Sequence, residues 1–449
     1  MDSSGKAMQF GDLPLGKFVR RLTFLSAMGV FLDGYNLSII AAALLFIKPL
    51  FHPTSFALGM IGSAAVLGML VGALVFGNLT DRFGRRTMYL LDLLFFIVFA
   101  VLSALSQNIT ELIIFRFLLG VGLGADYPIS STLTAEFAPT KRRGLLLVLT
   151  IGAWPAGATV AYLMSLALLH TGPNAWRFML GSGAIIALLV MWGRRSIPES
   201  PRWLAASGRS EEAHRVADRI ATDEGVTLDA NQTAFESVGS SKRLASFAQL
   251  FSPALIRSTV FVCLGWFLFD IGSYGAATFL PTILKDIKGT STTDVLWAGT
   301  AVWVLTLLVA FAVAALVEPV GRKWLQVWGF FALFIVFFLM GVIAHLPFVT
   351  FFILYLIWAI ANEFPGTLTY VFAGEVFPTS VRASGHGLAT ASSRLGAFLG
   401  TLFFPILIAA FGLGVGFLIF AILNLAAAVL TWWLAPDLTG KPMPQEVAG

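Results

Sequence analysis

A carboxylate, Asp270, stands inside the apolar run from Cys263 to Gly275, CLGWFLFDIGSYG. Trp266, Asp270 and Tyr274 follow at four-residue spacing, so a helix of about 3.6 residues per turn lines all three along one side. A charge at bilayer depth costs at least about 2.5 kcal/mol, and such residues face a cavity or a partner. The chemistry on offer is proton binding by the acid, with hydrogen bonding and stacking by the phenol and indole. A structural acid bonded to a neighbouring helix is the plainer alternative for Asp270. Arg394, in SSRLGAFLG, also falls inside an apolar run, and a guanidinium is the preferred bidentate partner of a carboxylate or phosphate. Pairing with Glu363 or another buried acid is its structural alternative. Glu363 precedes Phe364-Pro365-Gly366, where a helix is expected to break, as helices do at transport sites.

The elements that must position these groups follow from composition. The chain has 449 residues, 57% hydrophobic and 12% charged, with 41 Phe, 12 Trp and 43 Gly. A soluble domain carries about a quarter charged residues, so an all-α polytopic membrane protein is expected. One cysteine, Cys263, excludes a disulfide framework, and the five histidines show no metal-ligand spacing. No nucleophile and base pair or cofactor loop stands out, so neither an enzyme nor a bound cofactor or metal is expected. Basic residues cluster in short loops between apolar runs, which argues for membrane topology and against nucleic acid. No removable leader is read in Met1 to Leu22.

Apolar runs long enough to span about 30 Å of hydrocarbon fall near 22–47, 57–79, 88–106, 112–135, 145–169 and 178–193, then 256–283, 296–317, 325–345, 348–372, 386–411 and 414–434. Twelve spans in two sets of six are predicted: an N-terminal half over residues 1–193, a polar linker with short surface helices over 194–253, and a C-terminal half and tail over 254–449. Lys and Arg load the N-terminus, the loop after the second span, the loop after the fourth, the linker and the loop after the eighth, which places both termini in the cytoplasm. Ser210-Glu211-Glu212 reads as a helix start inside the linker, with Ser210 as cap.

An internal repeat supports the two halves. Asp81, Gly84, Arg85 and Arg86 after the second span recur as Glu318, Gly321, Arg322 and Lys323 after the eighth. Glu136, Pro139 and Arg143 recur as Glu375, Pro378 and Arg382. The step that carries Asp81 to Glu318 also carries Asp33 to Asp270, so the buried acid is one of a pair. Two halves of the same polarity, related by an axis along the membrane normal, are expected.

These residues carry a family resemblance. GNLTDRFGRRT (77–87), Arg116 followed by GVGLG, the two E-x-x-P-x-x-x-R motifs and Pro198 to Leu204 (PESPRWL) resemble the major facilitator superfamily, in the branch of sugar porters and metabolite:proton symporters. Gly124 to Ser130 (GADYPIS), with Trp266, Asp270, Tyr274 and Asp33-Gly34-Tyr35, is similar to the phosphate:proton symporters. The resemblance implies that Tyr127, Trp266, Asp270 and Tyr274 bind an anion, that Asp33 and Asp126 serve proton movement, and that Arg116 lies near the acid of the first span. It also implies a cytoplasmic network of Asp81, Arg85, Glu136, Arg143, Glu318, Arg322, Glu375 and Arg382 that holds one side closed. The match departs where those symporters carry two amides: this chain has Gly152-Ala153-Trp154-Pro155 in the fifth span and Phe364-Pro365-Gly366 in the tenth. Extra aromatic surface, Trp154 included, favours a larger or less polar ligand than phosphate.

The sequence therefore points to a monomeric cell-membrane transporter that takes up a small anion with protons by alternating access. A sugar or polyol carrier, for which PESPRWL and Pro436 to Lys441 speak, and an exporter of amphipathic compounds are the alternatives.

Overall fold

The computed structural model describes residues 16–137, 150, 152–224, 247–343, 347–378 and 381–437. Arg143 and the side chains of Asp81, Tyr127, Glu136 and Glu318 lie outside the described residues. The N-terminal half is built from α1 (Lys17–Phe51), α2 (Ser55–Phe83), α3 (Arg85–Leu105), α4 (Ile109–Phe137), α5 (Ala153–Leu168) and α6 (Ala175–Arg194). Two short linker helices follow, α7 (Pro201–Ala206) and α8 (Ser210–Asp223). The C-terminal half is α9 (Ile256–Asp286), α10 (Thr292–Val320), α11 (Arg322–Val342), α12 (Phe348–Glu375), α13 (Arg382–Phe411) and α14 (Leu413–Leu434). Ten of these twelve long helices are apolar and long enough to cross a membrane. The other two are α4, which carries Arg116 and Asp126, and α5, described over its last part. Large apolar side chains such as Trp192, Leu189, Phe311 and Trp433 are exposed along the outer faces, as a lipid-facing surface requires.

The repeated loops fold alike. Gly84 (φ 98°) and Gly321 (φ 89°) both take a backbone conformation that side chains disfavour, turning α2 into α3 and α10 into α11 in the same way. Inside each half, small residues let helices approach to backbone contact. Gly68 and Gly72 of α2 lie on the backbone of Phe117 and Val121, while Gly120 and Gly124 of α4 lie on Ala65 and Met69. The first and fifth helices of each half meet in the same manner: Gly34 and Gly157 close α1 on α5, and Gly396 and Gly400 close α13 on α9.

The halves touch each other through α2 and α13, α5 and α10, and α1 and α9. Gly59 abuts the backbone of Leu402, Trp154 meets Trp303 edge-on at 5.0 Å, and Lys48 pairs with Asp286 at 2.7 Å. The Gly59 contact and the Lys48 pair lie at the ends of the helices away from the linker.

The linker is tied to the N-terminal half by helix capping. A helix N-terminus exposes unsatisfied N–H groups and a partial positive charge. Glu199, from the PESPR segment, accepts the N–H groups of Arg85 at 2.9 Å and Arg86 at 3.2 Å, and so caps α3. Glu224, just past α8, accepts the N–H of Phe18 at 2.5 Å and caps α1. Ser200 caps α7 by accepting the N–H of Trp203. Two expectations are corrected. Ser210 is the first residue within α8 and Arg209 holds the cap position, with Glu211 and Glu212 in the first turn as expected. The tenth span does not break: α12 runs continuously through Pro365 and Gly366. Within a packed bundle, neighbouring groups and local adjustment satisfy the backbone that a proline frees, and Thr369 bonds back to the Pro365 carbonyl at 2.8 Å.

Candidate functional site

At mid-depth between the halves lies a cavity with about 140 Å³ of free space. Its walls come from α5, α9, α10, α12 and α13. Aromatic side chains dominate: Trp154 and Trp303 meet across the two halves, while Trp266, Phe269, Trp358 and Tyr370 line the C-terminal wall. Trp266 and Tyr370 pack edge to face at 6.1 Å, with His386 against both. The four-residue spacing of Trp266, Asp270 and Tyr274 does put all three on the cavity side of α9.

The polar groups converge on one corner. Ser393 of α13 donates to Asp270 Oδ2 at 2.5 Å, a bond made possible by the close approach of α9 and α13 at Gly396 and Gly400. The adjacent Arg394 donates from Nη1 to the Tyr274 hydroxyl at 2.9 Å. Its other terminal nitrogen, Nη2, stands 4.0 Å from Asp33 Oδ2 on α1, across the boundary between the halves. Asp33 is buried, and neither of its carboxylate oxygens has a hydrogen-bond partner among the described residues. Glu363 of α12 faces the same cavity, accepting a bond from Thr367 at 2.9 Å, and Asn362 accepts one from Ser273 at 2.6 Å.

Toward the linker, the N-terminal half holds a second charged cluster. Arg194, the last residue of α6, is fully buried and pairs with Asp126 of α4 at 2.6 Å and Asp92 of α3 at 3.4 Å. It also donates to the carbonyls of Tyr89 and Leu25, and its guanidinium lies 3.6 Å from the centre of the Tyr89 ring. Ser130 donates to Asp126 at 3.1 Å. Such a cation satisfies charges that would otherwise be stranded in a low-dielectric interior. Arg116 is buried one helix away and donates to Asn36 of α1 at 3.2 Å. Arg394 stands 4.0 Å from the first-span acid Asp33, while Arg116 is turned to Asn36, three residues along the same helix.

Of the residues singled out from sequence, Trp154, Trp266, Asp270, Tyr274 and Arg394 line one cavity. Asp33 sits behind Arg394, and Asp126 lies deeper in the N-terminal half. At the linker side, Arg322 and Glu375 form an ion pair at 2.7 Å joining α11 to α12. Arg382 donates to the Phe377 carbonyl at 3.1 Å, and the backbone of Arg85 is capped by Glu199. Arg194, Asp92, Trp303, Trp358 and Ser393 were missed. A lone acid in the third span was the available signal for Asp92. Arg194 resembled one more topogenic charge at the start of the linker.

Twelve long helices in two like halves around a mid-depth cavity define a secondary transporter of the major facilitator fold. Residues 22–445 match the sugar (and other) transporter family, and the chain belongs to it. It is a membrane transporter and not an enzyme, and transporters of this family need no cofactor. It is 32% identical over 436 residues to the inner membrane metabolite transport protein YgcS of Escherichia coli strain K12, covering 97% of this chain and 95% of that protein. It is 30% identical over 439 residues to the niacin transporter NiaP of Acinetobacter baylyi, covering 96% of this chain and 97% of the relative. In fold it is similar to the crystal structure of a D-xylose-proton symporter, with a TM-score of 0.76 at 22% identity, over 95% of this chain and all of that one.

Proposed function

We propose that this transporter takes up a small organic carboxylate with a flat, apolar body, together with protons. The observation that carries the reading is Arg394: among the described residues lining the aromatic cavity it is the one lysine or arginine. A guanidinium offers paired donors to a carboxylate, and stacked aromatic walls suit a planar ring. The indole N–H of Trp358, buried on the cavity wall with no partner among the described residues, adds a donor that favours an acceptor-rich ligand. The similarity to a niacin transporter is in keeping with a ring-bearing acid.

In this reading Trp154, Trp266 and Tyr274 frame the ligand, with Tyr127 assigned beside them by resemblance, and Asp270 holds its polar edge. Rocking of the halves about the cavity exposes it to each side in turn. The linker and both termini lie in the cytoplasm, where Asp81, Arg85, Glu136, Arg143, Glu318, Arg322, Glu375 and Arg382 close the exit. A sugar or polyol is the second reading, favoured by the hydroxyl and amide side chains of Thr306, Thr367, Thr390 and Asn362 on the cavity wall.

Reconstituted protein under an inside-alkaline gradient separates the two. Accumulation of benzoate or nicotinate, abolished by a protonophore, is the expected result. Uptake of xylose or arabinose with no carboxylate transported would replace the first reading by the second.

A further inference from the structure

Beyond the aromatic cavity, toward the helix ends away from the linker, its walls continue on three helices. On α5 the face of Trp154 leads to Tyr162, on α10 that of Thr306 leads through Trp303 to Gly299, and on α12 that of Asn362 leads through Trp358 to Tyr355. These spacings keep each series on one side of its helix, and each extends the wall by about 10–12 Å. The three faces meet. Gly299 lies against the ring of Tyr162, with no room for a side chain between α10 and α5. Trp303 faces the Tyr162 hydroxyl across the boundary of the halves. Tyr355 stands within electrostatic reach of Tyr162 and packs its ring on Trp358 at 5.5 Å.

What sets this group apart is polar chemistry left unspent. Tyr162, Trp303, Tyr355 and Trp358 are buried, none more than 4% exposed. Their two hydroxyls and two indole nitrogens nonetheless complete no hydrogen bond among the described residues. Buried polar groups are nearly always partnered, and an unpaired one costs stability. Tyr35, equally buried in the N-terminal half, is satisfied by Ser182 at 2.6 Å. We infer that Tyr162, Trp303, Tyr355 and Trp358 form a second subsite, apart from the Arg394 corner, that takes an uncharged hydrogen-bond acceptor on the substrate, such as a ring nitrogen or a carbonyl oxygen. The inference rests on the carboxylate reading above and adds the chemistry of the rest of the ligand.

An indole N–H can only donate and a phenol can do so, so the ligand must accept. Residues 154–162, 299–306 and 355–362 include no charged side chain. A neutral acceptor therefore suits the subsite, whereas a second carboxylate would be buried there without a counter-charge. Trp303 and Trp358 reach the cavity itself, and Tyr162 and Tyr355 stand behind them. Because the Tyr162 and Gly299 contact joins opposite halves, rocking that opens this side parts it and frees the hydroxyl. A ligand entering from that side meets the subsite before it reaches Arg394.

Nicotinate and benzoate share a ring and a carboxylate and differ by one ring nitrogen, so the ratio of their kcat/KM values is the readout. With full-length protein in liposomes, wild type should favour nicotinate. Tyr162→Phe and Tyr355→Phe each delete one hydroxyl and should lower the nicotinate-to-benzoate ratio by about two- to tenfold, the worth of one neutral hydrogen bond. The double variant should lower it further. Since the deleted hydroxyls have no partner to lose, melting temperatures should stay at or above that of wild type. Tyr35→Phe, whose hydroxyl is spent on Ser182, should lower the melting temperature and leave the ratio as it was. An unchanged ratio in both Tyr162→Phe and Tyr355→Phe, or a wild type that prefers benzoate, overturns the subsite and leaves the carboxylate reading standing. Transport of neither acid by wild type overturns both.

Discussion

Asp33 and Asp270 hold the same position in the two halves, yet their surroundings are opposite. Asp270 lines the cavity and is bonded to Ser393, whereas Asp33 is sealed behind Arg394 with no hydrogen bond among the described residues. The difference lies in the fifth helix of each half. In the C-terminal half that helix, α13, brings Ser393 and Arg394 against the acid. In the N-terminal half its counterpart α5 brings Trp154 and Pro155, and the half instead keeps a buried cation, Arg194, at the end of α6 with Asp126 and Asp92. One half thus supplies most of the polar groups of the cavity, and the other keeps a buried charge cluster of its own.

Removing the two arginines should break this contrast most sharply. Arg194→Met strands two buried carboxylates, a change that costs about 3–5 kcal/mol, so a large fall in melting temperature and poor recovery from membranes are expected. Arg394→Met should melt close to wild type while losing benzoate binding; equal destabilisation of both variants would erase the distinction between a structural and a functional cation. Next in size, Asp270→Asn should abolish proton-driven accumulation with the fold intact by circular dichroism, and wild-type accumulation in that variant would remove Asp270 from the site. Ser393→Ala deletes a bond to a charged group, worth about 1.5–3 kcal/mol, and should weaken half-saturation of uptake by about tenfold or more. The smallest effect belongs to the linker-side pair. Arg322→Gln removes a partly exposed ion pair worth about 0.2–1 kcal/mol and should change the uptake rate by no more than about fivefold.

The two-half architecture was legible because helix-length apolar runs and repeated loop motifs are local signals. The cavity residues of α9 were legible for the same reason, since four-residue spacing fixes a shared face before any packing is known. Arg394 was visible as a charge out of place, but its partner was not: only the contact between halves brings Asp33 to it. Arg194 and Glu199 were hidden differently. Both sit in a polar stretch where charges are unremarkable, and their roles, one turned inward and the other capping α3 from 114 residues away, depend on tertiary placement. Pro365 misled because a proline-glycine pair breaks an isolated helix, while in a bundle α12 carries on through it.

One guanidinium between two equivalent acids also has a historical meaning. A pair of identical halves would present either two such cations or none, so a single Arg394 shared across the boundary belongs to a molecule whose halves had already diverged. Joining them in one chain fixes the ratio at one to one and guarantees that every cavity is built from two unlike parts. The linker that caps α1 and α3 with Glu224 and Glu199 is therefore more than a tether: it preserves a division of labour that free association of equal partners could not maintain.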